Sequence, residues 1–301
     1  MLTELSKEKL QELKLKANEA RQLLIGALDA ARENSGAGHT GGPLGMADIF
    51  TAMYFHVLNH NPQDPDWEDR DRLILSNGHI CPIRYVSMAQ SGYFPVEELK
   101  TLRKFETRLQ GHPHRGVLPG VETTSGPLGE GLSQGIGVAL AGKLDKKNFI
   151  TYVLTSDGEH QEGNIWEAAM FAGKLKLNNF IQVIDYNNMQ IDGNVEDIMP
   201  LEPFRAKYEA FNWHAIDVDG NDIKAFVDAV KEAQAVKDKP VIIIAHTVPG
   251  KGISFMENNY KWHGMPPDLK DVEGAPPKGE QVKKAMEELK AEGERIMNQE
   301  S

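Results

Sequence analysis

The chain has 301 residues, 40% hydrophobic and 26% charged, with a formal net charge of −11. That length supports one large α/β domain or two small ones around a sizeable core. The acidic balance disfavours nonspecific binding to nucleic acid or anionic lipid, because both select basic surfaces.

Met1 to Leu15 mixes Lys and Glu with Leu at helical spacing and lacks the apolar core of a signal peptide. Leu5 to Asn34 predicts a long helix, ended by Ser35-Gly36 and Gly38. Met46 to Leu58 predicts a second. Arg72 to Leu75 is a short strand stopped by Ser76-Asn77-Gly78. Cys81 is the only cysteine, so no intrachain disulfide can form, and a reducing, cytoplasmic setting is expected. Leu128 to Leu144 is a helix rich in Gly and Ala, which predicts a closely packed neighbour. Phe149 to Thr155 and Phe180 to Ile184 are apolar runs that predict buried strands, with the helix Asn164 to Leu175 between them. Ala215 to Val218 and Val241 to Ala245 are two more strands, separated by the helix Ile223 to Val236. No run approaches the roughly 20 apolar residues of a membrane span. Val282, Met286 and Leu289 predict a thin amphipathic helix within residues 279–301.

Strands alternating with helices, the strands apolar throughout, predict an α/β fold with a mostly parallel sheet covered by helices on both faces. Ligands bind such sheets at the carboxyl ends of the strands. Ser156-Asp157-Gly158 follows one predicted strand, and Asp185-Tyr186-Asn187-Asn188 follows the next. Parallel neighbours would bring Asp157 and Asn187 to one edge. An Asp carboxylate and an Asn carbonyl are hard oxygen donors that suit Mg2+ beside phosphate oxygens. Gly158 would let the backbone approach a phosphate and adopt positive φ. The helix near Asn164 would aim its positive end at the same place. Both dipeptides are also common turns. The 28 residues from 159 to 186 hold one crossover helix and one strand with little spare loop.

This stretch resembles the thiamine diphosphate enzyme motif, a Gly-Asp-Gly followed by an Asn pair, with Ser156 where Gly is usual. The resemblance implies that Asp157, Asn187 and the Met189 carbonyl bind Mg2+ or another divalent cation such as Ca2+ or Mn2+, which anchors the cofactor's diphosphate.

Four of the ten histidines adjoin a glycine: Gly38-His39, Gly78-His79, Gly111-His112 and His263-Gly264. Each could be an ordinary loop residue. Together, freed by flexible neighbours, they suggest a cluster at one rim, suited to moving protons near neutral pH. A zinc site is disfavoured by the single Cys and the lack of His-Glu-x-x-His. These histidines, with Gly42-Pro43-Leu44-Gly45 and Gly126-Pro127-Leu128-Gly129-Glu130-Gly131, resemble transketolase signatures in transketolase order from Ala17 to Pro267. Ala37 is additional to the common Ser-Gly-His form, and Thr40 stands where Pro is usual.

The resemblance implies a thiamine diphosphate-binding (PP-type) domain over residues 1–270 and a helical tail over 271–301. By its motifs, His79, Gly126, Pro127, Leu128, Asp157, Gly158, Asn187 and His263 would contact the cofactor. His39, His112 and His263 would act on the sugar, and Glu162 matches a glutamate near the subunit interface. Glu162 also reads as an acidic residue at a helix N-terminus. Nothing here resembles the family's pyrimidine-binding domain. The chain is therefore expected to be the N-terminal subunit of a split transketolase, completed by a second polypeptide carrying the pyrimidine-binding and C-terminal domains, as an α2β2 heterotetramer. The expected reaction moves a two-carbon ketol unit from a ketose phosphate to an aldose phosphate, with the pentose phosphate route as the default role. Two alternatives remain: the α subunit of a 2-oxo acid dehydrogenase, which shares the Asp-Gly…Asn-Asn pattern, and a non-catalytic homologue that binds a partner.

Overall fold

The computed structural model describes residues 2–298. Its strands are β1 (Arg72–Leu75), β2 (Thr151–Ser156), β3 (Phe180–Tyr186), the short β4 (Met189–Gln190) and β5 (Gly193–Asn194), β6 (His214–Asp219) and β7 (Val241–His246). Five form one sheet in the order β1-β2-β3-β7-β6, and every pair in it is parallel. β4 and β5 make a separate antiparallel pair just beyond β3.

Alternate residues of each strand enter two different cores. Leu73, Leu75, Tyr152, Leu154, Ile181, Val183, Val241 and Ile243 face one, with Leu24, Phe50, Ile83 and Phe226 from the covering helices. Ile74, Val153, Phe180, Ile184, Ile242 and Ile244 face the other, with Leu132, Ile136, Ile165 and Phe204. A fully buried side chain of this size contributes roughly 1.5–3 kcal/mol. A one-residue slip would exchange every inward side chain between the cores, so burial sets the register. That register opposes Ser156 to Asp185 and Tyr186 to His246, which aligns the strand ends that carry the site.

The first helix spans Lys7–Ser35. The Ser6 side chain accepts from the Lys9 amide at its start, and Gly36 ends it at φ 68° with its N–H on the Arg32 carbonyl. Leu13, Ala17, Ala20, Leu24, Leu28 and Ala31 form its buried stripe. The terminal helix Gln281–Asn298 packs along it, burying Ala285 and Leu289. Residues 299–301 of the expected helical tail lie outside the described residues.

The expected helix from Met46 to Leu58 runs as two consecutive pieces, with a separate short helix before it. Gly41–Gly45 forms its own short helix, Ala47–Ala52 a second, and Met53–Val57 a π-helical turn. Met46 (φ −85°, ψ 0°) separates the first two, and a Cβ on Gly45 just before it would lie 2.9 Å from the Val248 carbonyl oxygen. Leu128 also lies outside its expected helix, which begins at Glu130 because Gly129 takes φ 84°. Sequence periodicity missed the helix Cys81–Gln90, which is buried on nearly every side and so shows no polar face.

Candidate active site

Asp157 leaves the end of β2 only 1% exposed. Its Oδ1 accepts from the Gly158 amide at 2.7 Å, and its Oδ2 accepts from the Asn188 amide. Across the register, Asp185 is equally buried near the end of β3. It accepts from the Thr247 hydroxyl and, at 2.9 Å, from Asn187 Nδ2. Asn187 Oδ1 accepts from the Met189 amide at 2.8 Å. Burial, and then the neighbouring Asp185 charge, pushes Asp157 up to about 8. Burial pushes Asp185 up to about 7.

The donor set fits a hard divalent cation. Among the described residues neither carboxylate has a Lys or Arg ion-pair partner. A carboxylate offers about four lone-pair sites and an amide oxygen two, so Asp157 and Asn187 keep acceptor capacity beyond these amides. Among the described residues no group of three or more His, Cys, Asp or Glu side chains is placed to hold a metal ion. A cavity of about 410 Å3 is lined by Asp157, Tyr186, Asn187, Asn188, Glu202 and Thr247 among others.

The four histidines meet. The His39 ring lies 5.1 Å from His79, 6.4 Å from His112 and 5.9 Å from His263, between ring centres. His79 and His263 are 5.3 Å apart. Two of the neighbouring glycines sit in close packing. A Cβ on Gly78 would lie 2.4 Å from Ser125 Oγ, and one on Gly111 would lie 2.4 Å from Arg103 Cζ. Thr40 donates its hydroxyl to the Met265 carbonyl at 2.7 Å, which ties the His39 turn to the His263 turn.

Burial lowers His39 to about 3, assisted by the charges of His263, Arg103 and His112. Burial also pulls His79, His112 and His263 below the usual imidazole range. All four are therefore neutral near pH 7, each with one acceptor nitrogen. His39 Nδ1 and Ser125 Oγ are buried without a hydrogen-bond partner among the described residues, which suits a polar ligand at this rim.

Gly126 lies beside the His112 ring with φ 152°, Pro127 is exposed and Leu128 half-buried. Gly158 does not take the expected positive φ. It opens a 3-10 turn, where an added Cβ would make ordinary contact with Gln190 at 3.5 Å. Glu162 is exposed at the N-cap of the helix Gly163–Leu175, and its side chain makes no capping hydrogen bond.

Sequence reasoning missed Asp185, Thr247 and Glu159. Glu159 is fully buried and binds Ser76, Gly129 and Ser156. Its only sequence signal was a carboxylate directly after Ser-Asp-Gly, which reads equally well as a solvated turn residue. His160, also missed, is buried between the Ser156 carbonyl and the Tyr208 hydroxyl at 2.6 and 2.8 Å.

Residues 14–287 match the family described as the transketolase, thiamine diphosphate binding domain. The 6-deoxy-6-sulfo-D-fructose transketolase subunit SqwG of Clostridium sp. (strain MSTE9) is 41% identical over 84% of this chain and 91% of that protein. An apulose-4-phosphate transketolase subunit of Phocaeicola vulgatus is 38% identical over 88% of this chain and 92% of that protein. The structure of a transketolase from Leishmania mexicana superposes with a TM-score of 0.79 at 30% identity, covering 96% of this chain and 45% of that one. Among the described residues no helix is long and apolar enough to cross a membrane.

Proposed function

The chain belongs to the transketolase family, and from that premise we propose that it is the diphosphate-binding half of a two-chain enzyme that transfers a two-carbon ketol unit. The observation that carries this reading is the meeting of His39, His79, His112 and His263 at one rim. The buried Asp157, Asp185 and Asn187 at neighbouring strand ends support a cation-held diphosphate.

Asp157, Asn187 and the Met189 carbonyl would hold Mg2+, or Ca2+ or Mn2+ in its place. His79, Gly126, Pro127, Leu128, Gly158, Asn187 and His263 would contact thiamine diphosphate. When bound, that cofactor supplies a nucleophilic carbon and an electron sink for carbon–carbon bond cleavage and formation. The neutral imidazoles of His39, His112 and His263 would accept a proton from a sugar hydroxyl and return one to a carbonyl oxygen. Their lowered proton affinity keeps them uncharged across neutral pH, each with a nitrogen lone pair open to a sugar hydroxyl. The two named subunit relatives act on a sulfonated and a phosphorylated sugar. We assign a ketose donor and an aldose acceptor with a terminal anionic group, in the pentose phosphate route or a specialised one.

The chain spans about 45% of the Leishmania mexicana transketolase but about nine-tenths of the two subunit relatives. This supports a second polypeptide with the pyrimidine-binding and C-terminal domains, in an α2β2 assembly. Glu162 would lie near that interface. Ile191, Met170, Phe171, Ile198 and Met199 are large apolar side chains left exposed, which suits a covered surface.

The test assays ketol transfer from fructose 6-phosphate with thiamine diphosphate and Mg2+. The chain alone should be inactive, and adding the polypeptide encoded beside it should restore turnover. Robust activity from the chain alone would sink the two-chain reading, and tight assembly without turnover would sink the catalytic one.

A further inference from the structure

Glu159 has 0% exposure and, among the described residues, no cationic partner. Burying a carboxylate is costly unless it is well hydrogen-bonded. Here three donors converge on it. Oε1 accepts from the Ser76 hydroxyl and from the Gly129 amide at 2.6 Å, and Oε2 accepts from the Ser156 amide at 3.2 Å. Ser76 in turn accepts from the Gly131 amide at 3.0 Å. Gly129 and Gly131 lie at the N-terminus of the helix Glu130–Leu144, where amides have no helical partner and favour an anion. The chain's own carboxylate therefore occupies that place.

The three donors come from three separate segments. Ser76 follows β1 and precedes the turn with His79. Gly129 closes the segment Gly126–Leu128. Ser156 ends β2 just before Asp157 and Gly158. We propose that Glu159 is a positioning residue that gathers these three segments into one cradle for the cofactor; this rests on the cofactor reading above. The packing leaves the segments little slack. A Cβ on Gly131 would lie 2.5 Å from Ser76 Cβ, and one on Gly78 would lie 3.1 Å from the Gly126 amide nitrogen. Held at one carboxylate, the His79 turn and the Gly126 segment stay in register with Asp157. Glu159 touches neither the cation donors nor the substrate histidines, so its effect falls on assembly of the cradle.

Glu159→Gln keeps the shape, but its amide nitrogen cannot accept from an N–H, so one backbone amide loses its partner. Ser76→Ala leaves the carboxylate with its two backbone amides and removes the hydroxyl bond to Glu159 together with the bridge to Gly131. Hydrogen exchange of the full chain, read at the Ser76–His79 and Gly126–Gly131 amides, should speed by about tenfold or more in Glu159→Gln. It should speed less in Ser76→Ala, with the rest of the sheet unchanged. In the complex with the partner subunit, the Kd for thiamine diphosphate with Mg2+ should rise by about tenfold in Glu159→Gln, with kcat at saturating cofactor within about twofold. Unchanged exchange in a folded Glu159→Gln would overturn the proposal. So would faster exchange spread evenly over the chain, which marks a general stability role, or a fall in kcat with unchanged cofactor Kd. If the wild-type complex binds no thiamine diphosphate, the functional reading fails, and the exchange comparison still decides whether Glu159 gathers the segments.

Discussion

The Thr40 hydroxyl donates to the Met265 carbonyl at 2.7 Å, joining two segments 225 residues apart in the chain. His39 precedes Thr40, and His263 lies two residues before Met265, so one bond spans the histidine pair whose rings are 5.9 Å apart. Thr40 has 0% exposure. Thr40→Val keeps the shape and leaves a buried carbonyl unpaired, at a cost of about 1–3 kcal/mol. Ketol transfer in the assembled enzyme should fall in kcat by about tenfold, with cofactor Kd unchanged, because His39 and His263 lose their mutual placement. Steady-state kinetics beside cofactor titration separates the two, and a wild-type kcat would remove Thr40 from the argument.

Asp157→Ala removes the acceptor for the Gly158 and Asn188 amides and the one carboxylate proposed as a cation ligand. Outer-shell changes commonly cost about 10–100-fold in metal affinity, so loss of a ligand should exceed about 100-fold. Titration of the complex with thiamine diphosphate, with and without Mg2+, reads this directly. Affinity that stays wild-type and metal-dependent would refute the cation assignment.

Burial holds His39 near 3 and His160 near 4 in the folded chain, against about 6.5 when unfolded. Below pH 6.5 the unfolded chain takes up protons that the native chain refuses, so this contribution is complete above about 6.5 and fades as pH falls toward 4. Asp157, Asp185 and Glu159, pushed up to about 8, 7 and 7, act with the opposite sign. The readout is therefore a difference. The Tm gap between wild type and His39→Gln should narrow, or turn in favour of the variant, between pH 7 and 5. A gap independent of pH would contradict the neutral buried imidazole.

Two helical glycines should respond oppositely to alanine. A Cβ on Gly173 would lie 1.9 Å from the Phe211 carbonyl oxygen, a backbone atom that cannot swing aside. Gly173→Ala should cost about 1–3 kcal/mol or more by overpacking. A Cβ on Gly137 would meet nothing within 4 Å, so Gly137→Ala should gain about 0.5–1 kcal/mol from helix propensity. Urea unfolding of the chain alone measures both, and equal midpoints would show that the packing at Gly173 is looser than it looks.

The sheet was legible because β2, β3 and β7 carry buried, largely apolar runs, as strands covered on both faces do. β2, β3 and β7 fall within two residues of their sequence-based limits. The helix Cys81–Gln90 was not legible, since burial all round erases the polar face that periodicity reads.

By itself the sequence determined which donors exist and in what order: Asp157 and Asn187 at successive strand ends, and four histidines beside glycines. Residue type and spacing settle that much, because a carboxylate or imidazole carries its chemistry wherever it lies. The tertiary structure decided how they are held. Thr247 on Asp185, Thr40 on Met265, and Ser76 and Gly129 on Glu159 are hydrogen bonds between distant parts of the chain, and Asp185 stands behind Asn187 at one strand end. In the sequence such residues look like ordinary turn or surface polar groups. Only packing shows that they are buried, and burial is what obliges each to find its partner.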